Sequence, residues 1–371
     1  MGAREIETEE SGFSKRDSLA LKGIAILMMM WHHCFLAGRF ETYTINFWPL
    51  AQSQVSNIAD FCKICVSLFV FVSGYGLYLT YKKADKEHKE VGRWIYEKLV
   101  RTLSGYWFVL ILAWIICAVL DNRPYRVYGF EKSVFLGIWN MFIEFLGLTN
   151  LVKGTQLNAT WWYMSAAVVF IVLLPAIALG FKYLGCFCTL GIISLFPRIS
   201  GGFPGWTHFY SFLPIFCIGM IFARGDFFGK WNELWSEKKR HIKTLKFILM
   251  LGGLLIVYKL FYHLNITVWW DVKWNLLPLF VIFFAKDYLF QIPFINKLLI
   301  FIGKHATNIF LIHTFIRVYY CESFTYSRGH FILIMGTLLL ASLGLSVVVE
   351  SFKRLVGYDK WLNKLLFAIS K

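Results

Sequence analysis

The sequence has few charged residues. Only 16% of its 371 residues are Asp, Glu, Lys or Arg, against about one quarter in soluble domains, and 58% are hydrophobic. This composition excludes an ordinary soluble globular domain. Apolar runs of about 20 residues, the length that crosses a bilayer, recur through the chain. We therefore predict an all-α polytopic transmembrane helical bundle, in which the length supplies many spans rather than several domains.

Acidic residues are scarcer than basic ones. The chain has 22 Asp and Glu against 38 Lys and Arg, for a net charge of +16. The basic residues form short clusters between apolar runs rather than one continuous face, which disfavours nucleic-acid binding. Anionic lipid and the positive-inside bias account for such clusters. We expect membrane lipid as a partner and no nucleic acid.

Signals for metal binding and for secretion are also weak. Among the eight cysteines, Cys62 and Cys65, in FCKIC, are spaced so that they could form a disulfide or a ligand pair. No second pair or histidine lies near them in sequence, so we expect no metal site. The first 17 residues are acidic before they turn basic, which is not the arrangement of a cleavable signal peptide.

Hydropathy predicts about ten spans. We place them at about 19–37, 58–81, 99–120, 161–181, 183–197, 208–223, 244–262, 274–290, 298–318 and 330–352. The apolar segment 134–148 is short and contains Asn140 and Glu144, so we interpret it as an interfacial or re-entrant helix.

This count places the main lysine and arginine clusters on one side, which the positive-inside rule assigns to the cytoplasm. We predict a cytoplasmic tail over 1–18, a membrane domain over 19–352 and a cytoplasmic tail over 353–371. Both termini are therefore expected in the cytoplasm.

The first span carries ionisable residues at a regular spacing. In LKGIAILMMMWHHCF, residues 21–35, the rotation from Lys22 to His33 differs by only about 20° from three full helical turns, so the two side chains share one helix face. His32 is rotated by about 80° from that face. An ionisable group at the centre of a membrane helix costs about 2.5–3.5 kcal/mol and normally faces a polar cavity. Alternatively, Lys22 is an interfacial anchor and the two histidines form a hydrogen-bonded pair between helices.

This register resembles the first-span signature of the acyltransferase-3 family of integral membrane acyltransferases, which usually has Arg where this chain has Lys22. Further motifs follow in the family's order over nearly the whole chain. They are Ser73-Gly74 in FVFVSGYGLYLTY, Lys98-x-x-Arg101, the Trp-rich ATWWYMSAAVVFIVLLP at 159–175, and His313 in GKHATNIFLIHTFI. Many members carry Glu shortly after the Trp-rich motif, and Ala166-Ala167 stands there instead.

The resemblance implies transfer of an acyl group, usually acetyl, from cytoplasmic acyl-CoA to a hydroxyl of an extracytoplasmic glycan acceptor. We expect an O-acetyltransferase of the bacterial plasma (inner) membrane that acts on a surface polysaccharide or its lipid-linked precursor. Acetyl-CoA would be the donor, without a metal. Transfer would be direct or would involve a separate protein of envelope glycan assembly, and succinyl could replace acetyl.

Acyl transfer needs a base that takes the hydroxyl proton, and a histidine suits this role. His33 is the expected base, with His32 as its helper or structural neighbour. His313 either completes the acceptor side or is a packed imidazole. Ser73 donates to the acyl oxygen or relays the acyl group, unless Ser-Gly only permits close helix packing.

The phosphates of CoA require cations. Lys22, Lys98 and Arg101 are the candidates, because Lys98 and Arg101 share one helix face. The alternative is that these charges only set the topology.

Two functions of other classes fit the same composition. A glycan or lipid transporter or flippase would also have many spans and buried polar residues, but it often shows paired halves with interrupted helices, and this sequence lacks such symmetry. A non-catalytic membrane scaffold would need neither His33 nor His313.

Overall fold

The computed structural model describes residues 12–36, 38, 40–236 and 238–370. Most of the predicted N-terminal tail, residues 1–11, lies outside this range. Within the described residues the regular elements are helices, and the only β-contact is an isolated bridge between Asn46 and His330. The predicted all-α class is confirmed for this part of the chain.

The α-helices of the described residues are α1 Lys15–Phe35, α2 Gln52–Phe61, α3 Cys65–Lys86, α4 Val91–Asp121, α5 Arg123–Tyr128, α6 Val134–Phe145, α7 Trp162–Tyr183, α8 Cys186–Ser200, α9 Leu213–Gly225, α10 Phe227–Ser236, α11 Arg240–His263, α12 Ile266–Asp271, α13 Leu277–Asp287, α14 Pro293–Lys304, α15 Ala306–Thr314, α16 Glu322–Tyr326, α17 Phe331–Leu355 and α18 Tyr358–Ser370. Short 3₁₀ segments lie at Cys62–Ile64, Ala159–Trp161, Phe209–Phe212 and Leu289–Gln291. Two π-helical segments lie at Val272–Leu276 and Phe315–Tyr320.

Seven helical stretches of the described chain are long and apolar enough to cross a membrane: Lys15–Phe35, Gln52–Lys86, Val91–Asp121, Ala159–Tyr183, Arg240–His263, Ile266–Gln291 and Phe331–Leu355. Two bent pairs, Phe209–Gly225 with Phe227–Ser236 and Pro293–Lys304 with Ala306–Tyr320, raise the number to nine when each pair is counted as one broken span. These stretches account for nine of the ten predicted spans. The protein is a polytopic membrane protein.

The tenth predicted span, 183–197, corresponds to α8. This helix has 15 residues and therefore rises only about 22 Å, less than the roughly 30 Å of a hydrocarbon core. The segment that we excluded from the count, 134–148, contains α6, which has 12 residues. The orientation of the bundle and the assignment of the termini to the cytoplasm stay predictions.

The predicted C-terminal tail, 353–371, is largely helical. Its first residues complete α17, and α18 follows as a separate helix with Trp361 and Phe367 exposed. Tyr358 at the start of α18 donates to the carbonyl oxygen of Ser104 on α4 at 2.8 Å. This contact fixes the start of α18 against the membrane domain.

Helix α1 begins at Lys15, four residues before the predicted span, because Ser14 and Asp17 form a capping box. The Asp17 N–H donates to Ser14 Oγ at 3.1 Å, and the Ser14 N–H donates to Asp17 Oδ2 at 2.9 Å. The cap satisfies backbone donors that would otherwise have no partner. It fixes the end of α1 that leads to Lys22.

Two glycines bring α1 and α14 into backbone contact. A Cβ atom on Gly23 would lie 2.2 Å from the carbonyl oxygen of Leu299, and one on Gly303 would lie 1.9 Å from that of Leu19. Small residues at such positions allow membrane helices to approach closely. The chain then bends by 62° between α14 and α15. Helix α1 is therefore held against the first half of a broken helix.

Candidate functional site

A cavity of about 590 Å³ lies between α1, α3, α4, α7, α15 and α17. Its walls combine apolar side chains with four cations, which are Lys22, Arg101, Lys304 and Lys353. One carboxylate, that of Glu350, also lines it. We call this space the basic cavity, because its lining carries a net positive charge.

The basic cavity contains two of the three predicted cofactor-binding residues. Lys22 lines it from α1 and Arg101 from α4. Lys98, the third, is not part of the lining; its ammonium lies 6.0 Å from the centroid of the Trp94 ring. The cavity instead receives cations from Lys304, at the end of α14, and Lys353, on α17.

Glu350 and Lys353 belong to a polar network between α15 and α17. The Lys353 ammonium donates to Glu350 Oε1 at 2.8 Å, and the Asn308 side-chain amide donates to the same oxygen at 2.8 Å. Asn308 also donates to Ser346 Oγ at 3.0 Å. These bonds hold Lys353, which is 7% exposed, at the wall of the cavity.

Helix α15 begins at the basic cavity. The helix break leaves Ala306, Thr307 and Asn308 in the first turn of α15, and all three line the cavity. The first turn of a helix carries N–H groups without intrahelical partners and the positive end of the helix dipole. The helix start therefore adds to the field of the four cations, and the two together favour an anion.

Two of the predicted catalytic histidines meet beyond the cavity. His33 on α1 and His313 on α15 have ring centroids 5.1 Å apart, with an angle of 35° between the ring planes. His313 is fully buried and His33 is half-buried. We call these residues the histidine pair.

The hydrogen bonds of His313 determine its tautomer and connect it to the cavity. Its Nδ1 lies 3.0 Å from the carbonyl oxygen of Ile309 and 2.9 Å from that of Phe310, so Nδ1 carries the proton. Nε2 lies 3.2 Å from the hydroxyl of Thr314. Because Phe310 also lines the basic cavity, this one residue adjoins both the cavity and the histidine pair.

His32 is oriented differently from His33. Its Nδ1 lies 2.7 Å from the carbonyl oxygen of Ala59 on α2, and the residue is 6% exposed. The His32 and His33 ring centroids are 5.3 Å apart. His32 is thus bonded to a neighbouring helix and supports the side of the His33 ring.

Ser73 lines the basic cavity from α3. Its hydroxyl donates to the carbonyl oxygen of Phe69 at 2.9 Å, one turn earlier in the helix. A Cβ atom on the adjacent Gly74 would lie 2.2 Å from the carbonyl oxygen of Phe216 on α9, so the glycine permits close packing. The Ser-Gly motif combines a hydroxyl at the cavity with a tight helix contact.

Polar side chains that precede α7 bind α15 near His313. The side chains of Asn158 and Trp161 both donate to the carbonyl oxygen of Leu311, at 3.3 and 3.1 Å. The preceding residue, Leu157, donates its N–H to the buried carboxylate of Glu144 at 2.9 Å. Burial raises the pKa of this carboxyl to about 8. Ala166 is buried and Ala167 lines the cavity, where many members of the family resembled here have a nearby Glu.

The charged and amide residues of the cavity that the sequence does not predict are Lys304, Asn308, Glu350 and Lys353. One signal was present, since Glu350 interrupts the apolar run LSVVVES and Lys353 follows it at a spacing that places both on one helix face. The predicted boundary at residue 353 places Lys353 in the C-terminal tail, whereas the structure places it in α17 at the wall of the cavity.

The described residues contain no group of three or more His, Cys, Asp or Glu side chains that could hold a metal ion. Cys62 and Cys65 are both buried and are not disulfide-bonded to each other. Cys62 and Cys65 are therefore two buried thiols in this structure.

Comparison with known proteins gives one family match. A model described as an acyltransferase domain, of the acyltransferase-3 type, matches residues 19–351. Neither the curated proteins nor the solved structures yield a match. The match covers nearly the whole chain and includes the histidine pair and every cavity-lining residue except Lys353, so this protein belongs to the acyltransferase-3 family and is an integral membrane acyltransferase.

Proposed function

We propose that the protein is an O-acetyltransferase that moves acetyl from acetyl-CoA to a hydroxyl of a cell-surface polysaccharide or its lipid-linked precursor. The observation that carries the proposal is the position of the basic cavity, which is lined by four cations and by Phe310, whose carbonyl oxygen lies 2.9 Å from His313 Nδ1. Family membership supports an acyltransferase; the cavity supports a donor that carries phosphates.

The donor side follows from charge and size. CoA carries phosphates, and Lys22, Arg101 and Lys304 can hold them together with the start of α15. A cavity of about 590 Å³ is within the ordinary range of ligand pockets. The thioester arm would extend past Ser73 and Phe310 toward the histidines. Donor entry from the cytoplasm agrees with the predicted topology.

In this proposal His33 is the general base. It takes the proton of the acceptor hydroxyl as the hydroxyl oxygen attacks the thioester carbonyl. The carbon–sulfur bond then breaks, acetyl stays on the acceptor oxygen, and the CoA sulfur leaves and receives a proton. His313, with its proton on Nδ1, contacts His33 and positions it, while the Ser73 hydroxyl would turn from the Phe69 carbonyl oxygen to donate to the acyl oxygen.

The acceptor reaches the same histidines from the opposite end. Lys22 and His33 lie on one face of α1, separated by roughly 16 Å along the helix axis. Donor phosphates near Lys22 and an acceptor near His33 would therefore approach from the two sides of the membrane. A bacterial plasma membrane is the location that fits such a reaction, and direct transfer requires no partner protein.

The test is acetyl transfer by the purified protein. Membranes that contain the unmodified glycan are incubated with radiolabelled acetyl-CoA and the protein. We expect His33→Ala to abolish label transfer while the protein stays folded, because no other group replaces the base. The matched control is His241→Ala, which removes an exposed histidine on α11 and should leave the rate unchanged. Normal glycan acetylation by the His33→Ala protein would refute the mechanism.

A further inference from the structure

A buried guanidinium lies beyond the histidine pair. Arg317 is 7% exposed, and its Nε has no hydrogen-bond partner among the described residues. No ion pair to Arg317 forms within residues 12–36, 40–236 or 238–370. Burial of a charge without a counter-ion is unfavourable, so such a group is expected to meet an anion from outside the chain.

The position of Arg317 relates it to the histidines. It follows His313 by four residues, about one helical turn, so both side chains project from similar faces. The residues of α15 that line the basic cavity, which are Ala306, Thr307, Asn308 and Phe310, precede His313. Arg317 therefore lies on the side of the histidine pair opposite the basic cavity.

The local structure encloses Arg317 instead of leaving it at the surface. Arg317 is in the π-helical segment Phe315–Tyr320, which packs against α16 and α17. π-Helical turns inside α-helices are frequent at functional sites. The neighbouring Thr314 is also buried, at 3% exposed. The guanidinium is thus enclosed by protein, unlike an arginine that extends to the lipid headgroups.

We infer that Arg317 binds the anionic group of an acidic glycan acceptor and so selects acidic over neutral sugars. This inference rests on the proposed function, whose acceptor it specifies. A planar guanidinium forms two parallel hydrogen bonds to a carboxylate or a phosphate, which gives orientation as well as affinity. The anion is either the carboxylate of a sugar acid in the polymer or the phosphate that links a sugar to lipid. Either would place the sugar hydroxyls beside His33.

Binding can be measured without acyl transfer. The purified protein in detergent is titrated with D-glucuronate, D-glucose 1-phosphate and D-glucose, and thermal unfolding is followed. Ligands that bind only the folded protein raise its Tm. We expect at least one of the two acids to raise the Tm and glucose to have no effect. Glucuronate would indicate a sugar acid, and glucose 1-phosphate would indicate the phosphate of a lipid-linked sugar.

Variants assign the effect to Arg317. Loss of a hydrogen bond between charged groups should raise the Kd of the acid about 10- to 100-fold in Arg317→Gln. Arg317→Lys, which keeps the charge but not the paired donors, should be intermediate, and it serves if the Gln variant folds poorly. The control is Arg328→Gln, because Arg328 is exposed over the Phe324 ring in the same region of the chain.

The inference would be overturned if neither acid raised the Tm of the unmodified protein, or if Arg317→Gln bound the acid as tightly. Failure of the proposed function is a different result, namely absence of label transfer from acetyl-CoA. Because this binding assay contains no donor, the two failures are distinguishable.

Discussion

The strongest test of the proposed donor site compares two lysines that the sequence predicts equally as ligands of the CoA phosphates. Lys22 and Lys98 both belong to the basic motifs, but only Lys22 lines the basic cavity. We expect Lys22→Met to weaken acetyl-CoA binding strongly and Lys98→Met to leave it nearly unchanged. The same substitution at both positions removes one ammonium and keeps a flexible apolar side chain.

The magnitude follows from the charge removed. Two unit charges 4 Å apart interact by about 4 kcal/mol at an effective dielectric constant of 20, which is an upper limit. A hydrogen bond to a charged group contributes about 1.5–3 kcal/mol net. Since about 1.4 kcal/mol is a tenfold change, Lys22→Met should raise the Kd about 10- to 100-fold. The other three cations of the cavity keep binding measurable.

The assay is direct binding of acetyl-CoA to purified protein at several salt concentrations. The control ligand is S-acetylpantetheine, which has the thioester but no phosphate, and Lys22→Met should not weaken its binding. The affinity of Lys22→Met for acetyl-CoA should also depend less on salt. Equal losses for both ligands, or equal effects at Lys22 and Lys98, would show that the cavity does not bind the donor phosphates.

Two further predictions concern stability, measured by thermal unfolding in detergent. Burial raises the Glu144 pKa from 4.5 to about 8, so the folded protein retains a proton that the unfolded chain releases. The free energy of unfolding should therefore fall as the pH rises from about 4.5 to 8, and Glu144→Gln should flatten this dependence. A slope unchanged in Glu144→Gln would refute this assignment. Gly303→Ala should cost about 1–3 kcal/mol through its clash with α1, whereas Gly336→Ala, where a Cβ meets no atom within 4 Å, should not destabilise. Equal stability of the two alanine variants would contradict the close contact.

The sequence predicts the membrane helices well, because long apolar runs leave little choice of structure. It also excludes 134–148 from the spans because the segment is short, and α6 indeed has only 12 residues. Bends are harder to predict. No proline stands between Lys304 and Ala306, and the bend there depends on packing of α14 against α1 and of α15 against α17.

Within the site, the sequence indicates residues that share one helix but not those that meet across helices. Lys22 and His33 could be related by spacing alone, since both lie on α1. The contact of His33 with His313 requires α1 and α15 to pack, which no local pattern encodes. The sequence predicts Lys353 in a tail for the same reason. Its place at the cavity depends on Asn308 and Glu350 lying on adjacent helices.

The broken helix explains how the basic cavity and the histidine pair are held in a fixed relative position. Helix α1 carries Lys22 and His33, whereas α15 carries Asn308 at the cavity and His313 at the pair, so each helix contacts both parts of the site. Gly23 fixes α1 against α14 by backbone contact. The bend after Lys304 then directs α15 so that it begins at the cavity and reaches His33 within two turns. A continuous helix could not place its N-terminus there, and the N–H groups of the first turn of α15 would no longer lie at the cavity.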